Sequence, residues 1–243
     1  MFRVLHISDW HADAESFKKA LNREMREDPR ILDADLIALT GDMVFNTHAC
    51  FSQPATEGAY QRPAFQQMLD YLDVCFPGID VVGVRGNHDY FNYGIQGDSW
   101  QGIETFTLSG YKFASIRGVP LHMGSWNDEL AESDLDALAQ QVPLDTQILV
   151  THAPPFGILD DTRGDNQLDH TTRIWNHDDP VPVIMPRNIG SQAFRLLVDR
   201  LPDLQLHMFG HVHEQGCSTQ ARKNVVFSNA SCGANFIVLP LAS

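Results

Sequence analysis

The sequence predicts a single-domain α/β protein, and three of its features lead to that prediction. Short apolar runs of strand length recur along the 243 residues, and stretches with helical periodicity lie between several of them. No internal repeat, low-complexity tract or linker divides the chain. Strands that alternate with helices are typical of α/β folds. We therefore expect one domain over residues 1–243.

The predicted strands are short runs rich in β-branched residues, and they end in polar turns that contain glycine. They are Phe2–Ser8, Leu36–Thr40, Val81–Val84, Gln147–Thr151, Leu204–Phe209 and Val225–Ser228. A further strand over Tyr111–Val119 is expected to pair with Glu104–Leu108 as a hairpin through Ser109 and Gly110. The last third of the chain is expected to be richer in strands than the rest.

Four apolar stripes at helical spacing predict four helices. The stripes are Phe17, Ala20, Leu21 and Met25; Phe65, Met68, Leu69, Leu72 and Phe76; Leu135, Leu138 and Ala139; and Phe194, Leu197, Val198 and Leu201. Two long polar stretches, Phe45–Arg62 and Asp160–Ile189, are interpreted as loops. Loops of this length in a compact domain are commonly functional, and the second is a candidate lid or substrate loop.

Charge and composition narrow the range of partners. The formal net charge is −14 with only 17 Lys and Arg residues, which disfavours a long nucleic acid as a partner. No apolar run approaches the roughly 20 residues that a membrane-spanning helix needs. The N-terminus is interpreted as a first strand and not as a signal peptide, so a cytoplasmic location is expected. The four cysteines show no CxxC spacing, and we expect them to be free thiols.

Asp, Asn and His residues follow five of the predicted strands at the point where each strand ends. They are Asp9 and His11, then Asp42, then Asn87 with His88 and Asp89, then His152, and finally His211 and His213. In α/β sheets, sites form in the crevice outside the carboxyl ends of the strands. Imidazole and carboxylate groups are ligands for divalent ions. The pattern therefore predicts a metal site built from several strand ends.

The charge of this residue set suits two ions and an anionic substrate. Two divalent ions bring four positive charges, Asp9 and Asp42 bring two negative charges, and a bridging hydroxide brings one more. The centre then keeps one net positive charge and accepts a phosphate group. The two carboxylate oxygens of Asp42 make it the natural bridge between the ions. A metal-activated hydroxide that attacks phosphorus is the chemistry expected of such a pair.

The ordered motifs resemble those of the calcineurin-like metallophosphoesterase family, and they span most of the chain. The resemblance rests on Asp9-x-His11, Gly41-Asp42, Gly86-Asn87-His88-Asp89, His152 and Gly210-His211-x-His213. It implies a β-sandwich flanked by helices on both sides, in an αββα arrangement, with a dimetal site at its edge. It also implies two ligand sets. They are Asp9, His11, Asp42 and His213 for one ion, and Asp42, Asn87, His152 and His211 for the other.

The same resemblance implies roles for two residues beside the ligands. His88 is expected to contact the phosphate and to protonate the leaving group, which suits a histidine near neutral pH. Asp89 is expected to orient His88 or to brace its loop. The His, Asp and Asn ligands suit Mn, Fe, Zn, Ni or Co, and the sequence does not choose among these metals.

The motifs also bear on the substrate. The run from Gly41 to Asn46 lacks the second Asp and the Arg of the family's protein Ser/Thr phosphatases, which disfavours a protein substrate. Residues 151–160 and 206–214 are similar to a branch of small soluble phosphodiesterases, some of which act on cyclic nucleotides. The leading hypothesis is a phosphodiesterase acting on a small, nucleotide-like phosphate ester.

Three other functions stay open at this point. A phosphomonoesterase would use the same metals, a non-catalytic scaffold would bind protein partners, and a nuclease would need a basic track that is not evident. The complete ligand set disfavours the scaffold. Outside this set, Trp10 is interpreted as a packed residue or a wall of the pocket, His6 as a packed core residue, and Asn229 is expected near the metal site. The oligomeric state is not predicted.

Overall fold

The computed structural model describes residues 1–47, 53–162 and 187–241. Its strands are β1 Phe2–Ser8, β2 Leu36–Leu39, β3 Asp80–Gly83, β4 Ile103–Leu108, β5 Tyr111–Ile116, β6 Val119–Pro120, β7 Glu129–Leu130, β8 Ile148–Thr151, β9 Leu206–Phe209, β10 Ser218–Arg222, β11 Val225–Asn229 and β12 Gly233–Leu239. Its α-helices are α1 Ala14–Glu27, α2 Pro54–Cys75, α3 Glu132–Ala139 and α4 Gln192–Arg200.

The main strands form two sheets. The first has the order β12-β1-β2-β3, and the second has the order β10-β11-β9-β8-β5-β4. In the first sheet, strands β1, β2 and β3 are parallel. In the second sheet, the four inner strands β11, β9, β8 and β5 are parallel. Antiparallel strands lie at one edge of the first sheet and at both edges of the second. The carboxyl ends of the parallel strands therefore meet along one side of each sheet.

The two sheets pack face to face through an apolar layer. Val4 and Leu36 of the first sheet belong to the same buried cluster as Phe113, Val150 and Met208 of the second. Strands covered on both faces are expected to be apolar throughout, and β2 and β8 are buried at every position. The cluster forms the centre of a β-sandwich.

Helices cover the outer face of each sheet. Leu5 of β1 lies in a cluster with Phe17 of α1 and Phe65 of α2. Leu149 of β8 lies in a cluster with residues of α3 and α4, among them Phe194. The order of layers is helix, sheet, sheet, helix. This confirms the predicted αββα arrangement and the α/β class.

The predicted strands are present, with ends that differ by no more than three residues. The expected hairpin joins β4 and β5, and its turn residues Ser109 and Gly110 both have positive φ, as a tight two-residue turn requires. Two strands of the main sheets were not predicted, and neither was the short strand β7. The edge strand β10 is polar at nearly every position, and β12 pairs along the whole of β1.

The interpretation of Phe45–Arg62 as a loop was wrong over its second half. Helix α2 begins at Pro54, eleven residues before Phe65, the first residue of its predicted apolar stripe. Proline is favoured in the first turn of a helix, but the internal Pro63 is a residue that ordinarily ends one. This extra length of helix carries the buried polar residues Glu57 and Gln61, which hide its amphipathic pattern.

The predicted lid over Asp160–Ile189 lies mostly outside the described residues. The flanking residues meet each other, because the Thr162 amide donates to the carbonyl of Arg187 at 2.8 Å. The Asp160 carboxylate also accepts from the side chain of Asn188 at 2.7 Å. Within the described ranges, no helix has the length and apolar character needed to cross a membrane. The cysteines among them, Cys75, Cys217 and Cys232, are free.

Candidate metal centre

The predicted site residues lie together at the carboxyl ends of the strands. Asp9 and His11 follow β1, Asp42 follows β2, and His152 and His211 follow β8 and β9. All of these except His152 have positive φ, between 41° and 71°. Asp and His tolerate this region better than most side chains, but at a cost in backbone energy. The turns therefore direct polar side chains of separate strands toward one point.

Asp9 is a fully enclosed carboxylate. Its Oδ2 atom accepts hydrogen bonds from the hydroxyls of Ser8 and Ser231 and from the amide of His211. Its Oδ1 atom lies 3.3 Å from Nε2 of His213. Burial alone would raise the pKa of Asp9, but His152 and His213 hold it well below its usual range. Asp9 is therefore an anion in the folded protein.

Asp42 lies between the two groups of histidines. Its Oδ1 atom accepts from the backbone amide of His88 at 2.7 Å. Its Oδ2 atom lies 3.3 Å from Nε2 of His152 and 3.8 Å from Nε2 of His11. These histidines belong to different predicted ligand sets, so Oδ2 lies where an oxygen shared between two ions is expected.

His152 is held through both ring nitrogens. Its Nδ1 atom lies 2.5 Å from the carbonyl oxygen of Thr40, which can only accept, so Nδ1 carries a proton. Its Nε2 atom faces Asp42 and lies 3.0 Å from Oδ1 of Asn87. Burial alone would lower the pKa of His152, but Asp42 and Asp9 raise it to about 9. The surroundings thus favour a positive charge at Nε2, which a proton supplies in the metal-free protein and a metal ion would supply in its place.

His211 has a buried nitrogen without a partner among the described residues. Its ring lies 5.1 Å from that of His152, and its Nε2 atom makes no hydrogen bond. A buried polar atom without a partner costs about 1–3 kcal/mol. Metal coordination would remove that cost and would use the lone pair that an imidazole offers.

The donor atoms are close enough to share ions. Ligand atoms of Asp9, His11 and His213 lie within 4.8 Å of one another, and so do those of Asp9, Asp42 and His152. Carboxylate and imidazole groups are the donors that first-row divalent metals take. With the unpartnered nitrogen of His211 beside them, the residues fit a centre of two ions.

Asp89 lies beneath the site. Its Oδ2 atom accepts from the amides of Asp42 and Gly86 at 2.7 and 2.8 Å and from the hydroxyl of Tyr93 at 2.6 Å. Burial and the charge of Asp42 raise the pKa of Asp89 to about 7. The side chain does not reach the ring of His88, whose Nδ1 atom instead contacts the amide of Asn46 at 2.8 Å. These contacts join Asp89 to the backbone of two turns, and its bracing role stays a prediction.

Aromatic rings border the open side of the centre. The ring of His88 lies 5.3 Å from that of His11 and 5.7 Å from that of Trp126. Trp126 also meets His211 edge-on at 6.0 Å, and His122 stacks near the same ring at 6.5 Å. Neither Trp126 nor His122 was assigned a role from the sequence. Both lie between predicted elements, where periodicity gives no signal.

Asn46 was not predicted either, and Glu57 and Gln61 are two further residues near the site that sequence reasoning missed. Both are fully buried on α2. Their spacing continues the stripe of Phe65, Met68 and Leu72 backward by steps of four, so a signal was present. It was overlooked because the face changes from apolar to polar at its N-terminal end.

Three residues outside the ligand set occupy the places expected of them. Trp10 packs against Phe17 with ring centroids 4.8 Å apart, and His6 is buried between two hydroxyls. Asn229 donates to the carbonyl of Val212 at 3.0 Å. It therefore supports the loop that carries His211 and His213.

Comparisons with known proteins identify the family of the chain and agree with the fold. The family model of calcineurin-like phosphoesterases matches residues 2–215. Metallophosphoesterase domain-containing protein 1 of human and of mouse is 30% identical over 156 residues. The match covers 64% of this chain but only 34% of those relatives, so the chain spans about a third of their length.

A solved structure shows the same fold. The crystal structure of a dimetal phosphatase from Danio rerio aligns with 94% of this chain and 86% of its own, at a TM-score of 0.51 and 15% identity. At that identity the likeness concerns the fold alone. The family model covers most of the chain, and it includes every strand end that carries the donors. The chain belongs to the calcineurin-like phosphoesterase family.

Proposed function

We propose that the protein is a dimetal-dependent phosphodiesterase that hydrolyses a small phosphate ester, such as a cyclic or other nucleotide. The observation that carries the proposal is the pair of donor groups that share Asp9, with Asp42 placed between His11 and His152. Family membership supports metal-dependent hydrolysis of phosphate esters. The diester preference and the nucleotide substrate are our own extension.

The proposal gives the ligand residues two roles. Asp9, His11, Asp42 and His213 would hold one ion, and Asp42, Asn87, His152 and His211 would hold the other. When bound, two divalent ions supply Lewis acidity and favour loss of a proton from the attacking water. The anchors of Asp9 and Asp42, namely the Ser8 and Ser231 hydroxyls and the His88 amide, keep the carboxylates oriented without help from the substrate.

His88 is proposed to donate a hydrogen bond to the phosphate and to the leaving oxygen. Its ring lies between His11 and Trp126, so it borders both the centre and the open side. A hydrogen-bond donor to a developing oxyanion contributes about 10²–10³-fold to the rate. Trp126 and His122 offer ring faces to the part of the substrate beyond the phosphate. Base–aromatic stacking is worth about 1–3 kcal/mol, which supports a nucleoside there.

The metal requirement and the substrate class are tested in one experiment. The protein is stripped with a chelator, and Mn²⁺, Zn²⁺ or Mg²⁺ is added back separately. Each form is assayed with a chromogenic phosphodiester and with the matching monoester. We expect turnover to depend on metal and to favour the diester, and a screen of cyclic and linear nucleotides then identifies the substrate.

Two outcomes would overturn the proposal in different ways. A preference for the monoester would make the protein a phosphomonoesterase on the same centre. Absence of turnover in protein that binds two ions per chain would instead favour the non-catalytic scaffold. Trp126→Ala separates substrate recognition from chemistry. We expect it to raise KM for a nucleotide diester far more than for a small alkyl diester.

A further inference from the structure

A buried side-chain amide of α2 contacts the loop that carries His88. The Oε1 atom of Gln61 accepts from the backbone amide of Tyr90 at 2.9 Å, and its Nε2 atom donates to the carbonyl of His88 at 2.8 Å. A backbone N–H can only donate and a backbone C=O can only accept. The orientation of the Gln61 amide is therefore fixed by its neighbours, without reference to hydrogen positions.

The same nitrogen of Gln61 orients a second amide. Gln61 Nε2 lies 3.1 Å from Oδ1 of Asn46, which must accept because that nitrogen carries only donors. Nδ2 of Asn46 then points toward Nδ1 of His88, at 2.8 Å. An amide nitrogen can only donate, so Nδ1 of His88 accepts. Neutral imidazole carries one proton, and here it must be on Nε2.

Other contacts of α2 hold this arrangement in place. Glu57, one turn before Gln61, accepts from the backbone amide of Thr47 at 2.7 Å and from its hydroxyl. At Gly58 the helix approaches so closely that an added Cβ would lie 2.2 Å from the carbonyl oxygen of Tyr90. The helix thus contacts both the loop of Asn46 and the loop of His88, and it sets their relative position.

We propose that Gln61 and Asn46 are positioning residues that keep the proton of neutral His88 on Nε2, the nitrogen left free for the phosphate ester. The assignment of the proton rests on the contacts of this chain alone, whereas its use in turnover rests on the proposed function. A carboxylate at position 46 would only accept, and it would hold the proton on Nδ1 instead. Neutral His88 should therefore carry its proton on Nε2 beside an amide at position 46 and on Nδ1 beside a carboxylate.

The proton is located directly by long-range ¹H–¹⁵N NMR of protein labelled at its 11 histidines. The spectra are recorded at mildly alkaline pH on the metal-free protein, and the His88 signals are those absent from His88→Asn. We expect an unprotonated Nδ1 and a protonated Nε2 in the wild type. Asn46→Asp should exchange the two, whereas the matched control Asn224→Asp, in the exposed turn between β10 and β11, should change nothing.

The contribution of Gln61 is tested with a milder change. Gln61→Leu removes the amide that fixes Asn46, so we expect His88 to show both tautomers. The control Gln67→Leu, on the exposed side of α2, should keep the wild-type spectrum. A wild-type His88 protonated on Nδ1, or an unchanged spectrum in Asn46→Asp, would overturn the proposal. Neither result depends on whether the protein turns over a phosphodiester.

Kinetics test the second half of the proposal. Asn46→Ala should lower kcat for an alkyl phosphodiester roughly 10- to 100-fold, part of the 10²–10³-fold that one hydrogen-bond donor to a developing oxyanion contributes. The loss should be smaller for an aryl ester, whose leaving oxygen carries less charge in the transition state, and KM should change little. Equal losses for both esters would show that Asn46 merely supports the fold of the loop, and would overturn its role in hydrogen-bond donation to the leaving oxygen.

Discussion

His6 and His152 are both fully buried, yet their surroundings give them opposite properties. His6 lies inside β1 with its ring nitrogens 2.8 Å from the hydroxyls of Ser228 and Thr40. Burial lowers its pKa to about 3. His152 lies just beyond a strand end, where the carboxylates of Asp42 and Asp9 outweigh burial and raise its pKa to about 9. A buried histidine is therefore neutral or positively charged according to the groups that its ring nitrogens face.

Position along the strand decides which of these surroundings a residue meets. His207, inside β9, is also neutral, with Nε2 2.9 Å from the Thr151 hydroxyl, Nδ1 buried without a partner in the described structure, and a pKa lowered by burial to about 3. Side chains within the strands meet the neighbouring strands of the sandwich. Side chains at strand ends meet the turns of other strands, and here those turns supply the carboxylates.

The largest effect is expected from removing the carboxylate that distinguishes His152 from His6. Asp42→Asn takes the charge from the oxygen between His11 and His152, so both ions should be lost. Turnover should fall to that of the chelated protein, and metal analysis should find fewer than two ions per chain. Asp203→Asn, an exposed carboxylate in the turn before β9, is the matched control. Normal metal content in Asp42→Asn would refute the bridging role.

Substitution of His88 should slow the reaction without loss of the metal ions. It is partly exposed and contacts no carboxylate through its ring in the described structure, so His88→Ala should keep both ions. Turnover should fall about 10²–10³-fold, as expected for the loss of a hydrogen-bond donor to the leaving oxygen. The two measurements are metal content and kcat on a phosphodiester. Unchanged turnover would remove His88 from the mechanism.

Two substitutions of Asp89 separate a role in stability from a role in the reaction. Asp89→Ala leaves the buried amides of Asp42 and Gly86 without their acceptor, at roughly 1–3 kcal/mol each. Asp89→Asn keeps an acceptor oxygen and should lower the free energy of unfolding much less. Denaturant unfolding of both variants measures the difference. A stable Asp89→Asn with turnover as low as His88→Ala would instead assign Asp89 a direct part in the reaction.

The smallest effect on activity is expected for the interior histidines, which should affect acid stability instead. His207 has a pKa near 6.5 in the unfolded chain and about 3 in the folded one. Between these values only the unfolded state binds the proton. The free energy of unfolding therefore falls as the pH falls, by up to about 1.4 kcal/mol per pH unit.

The variant His207→Gln isolates this contribution. We expect its free energy of unfolding to depend less steeply on pH between about 6.5 and 3, with turnover at neutral pH little changed. Urea unfolding of the metal-free protein at a series of pH values gives both slopes. Parallel curves for the variant and the wild type would show that His207 does not contribute to the acid sensitivity.

Most of the site residues that the sequence could predict lie at strand ends. Asp9, Asp42 and His152 each follow an apolar run directly, so their convergence follows from the geometry of parallel strands. Strand β10 was missed because an exposed edge strand needs no apolar face. The walls of the site, Trp126 among them, were missed because tertiary contacts place them and no local period marks them.

Helix α2 shows a second limit of sequence reasoning. Glu57 and Gln61 lie at helical spacing from the apolar stripe. Because both are polar, a search for apolar positions interprets them as part of the exposed face. Their buried polar atoms bond to loops ten or more residues away in sequence, at Thr47 and Tyr90. A polar stripe that continues an apolar one therefore predicts a buried network as well as a solvated face.

The left-handed backbone of Asp9, His11, Asp42 and His211 has a consequence for how the protein can evolve. Glycine would relieve about 1 kcal/mol or more of backbone strain at each position. At Asp9 and Asp42 it would also remove the acceptor of a backbone amide, at roughly 1–3 kcal/mol. Descendants of this chain that lose their chemistry are thus expected to lose His11 and His211 before they lose the two carboxylates.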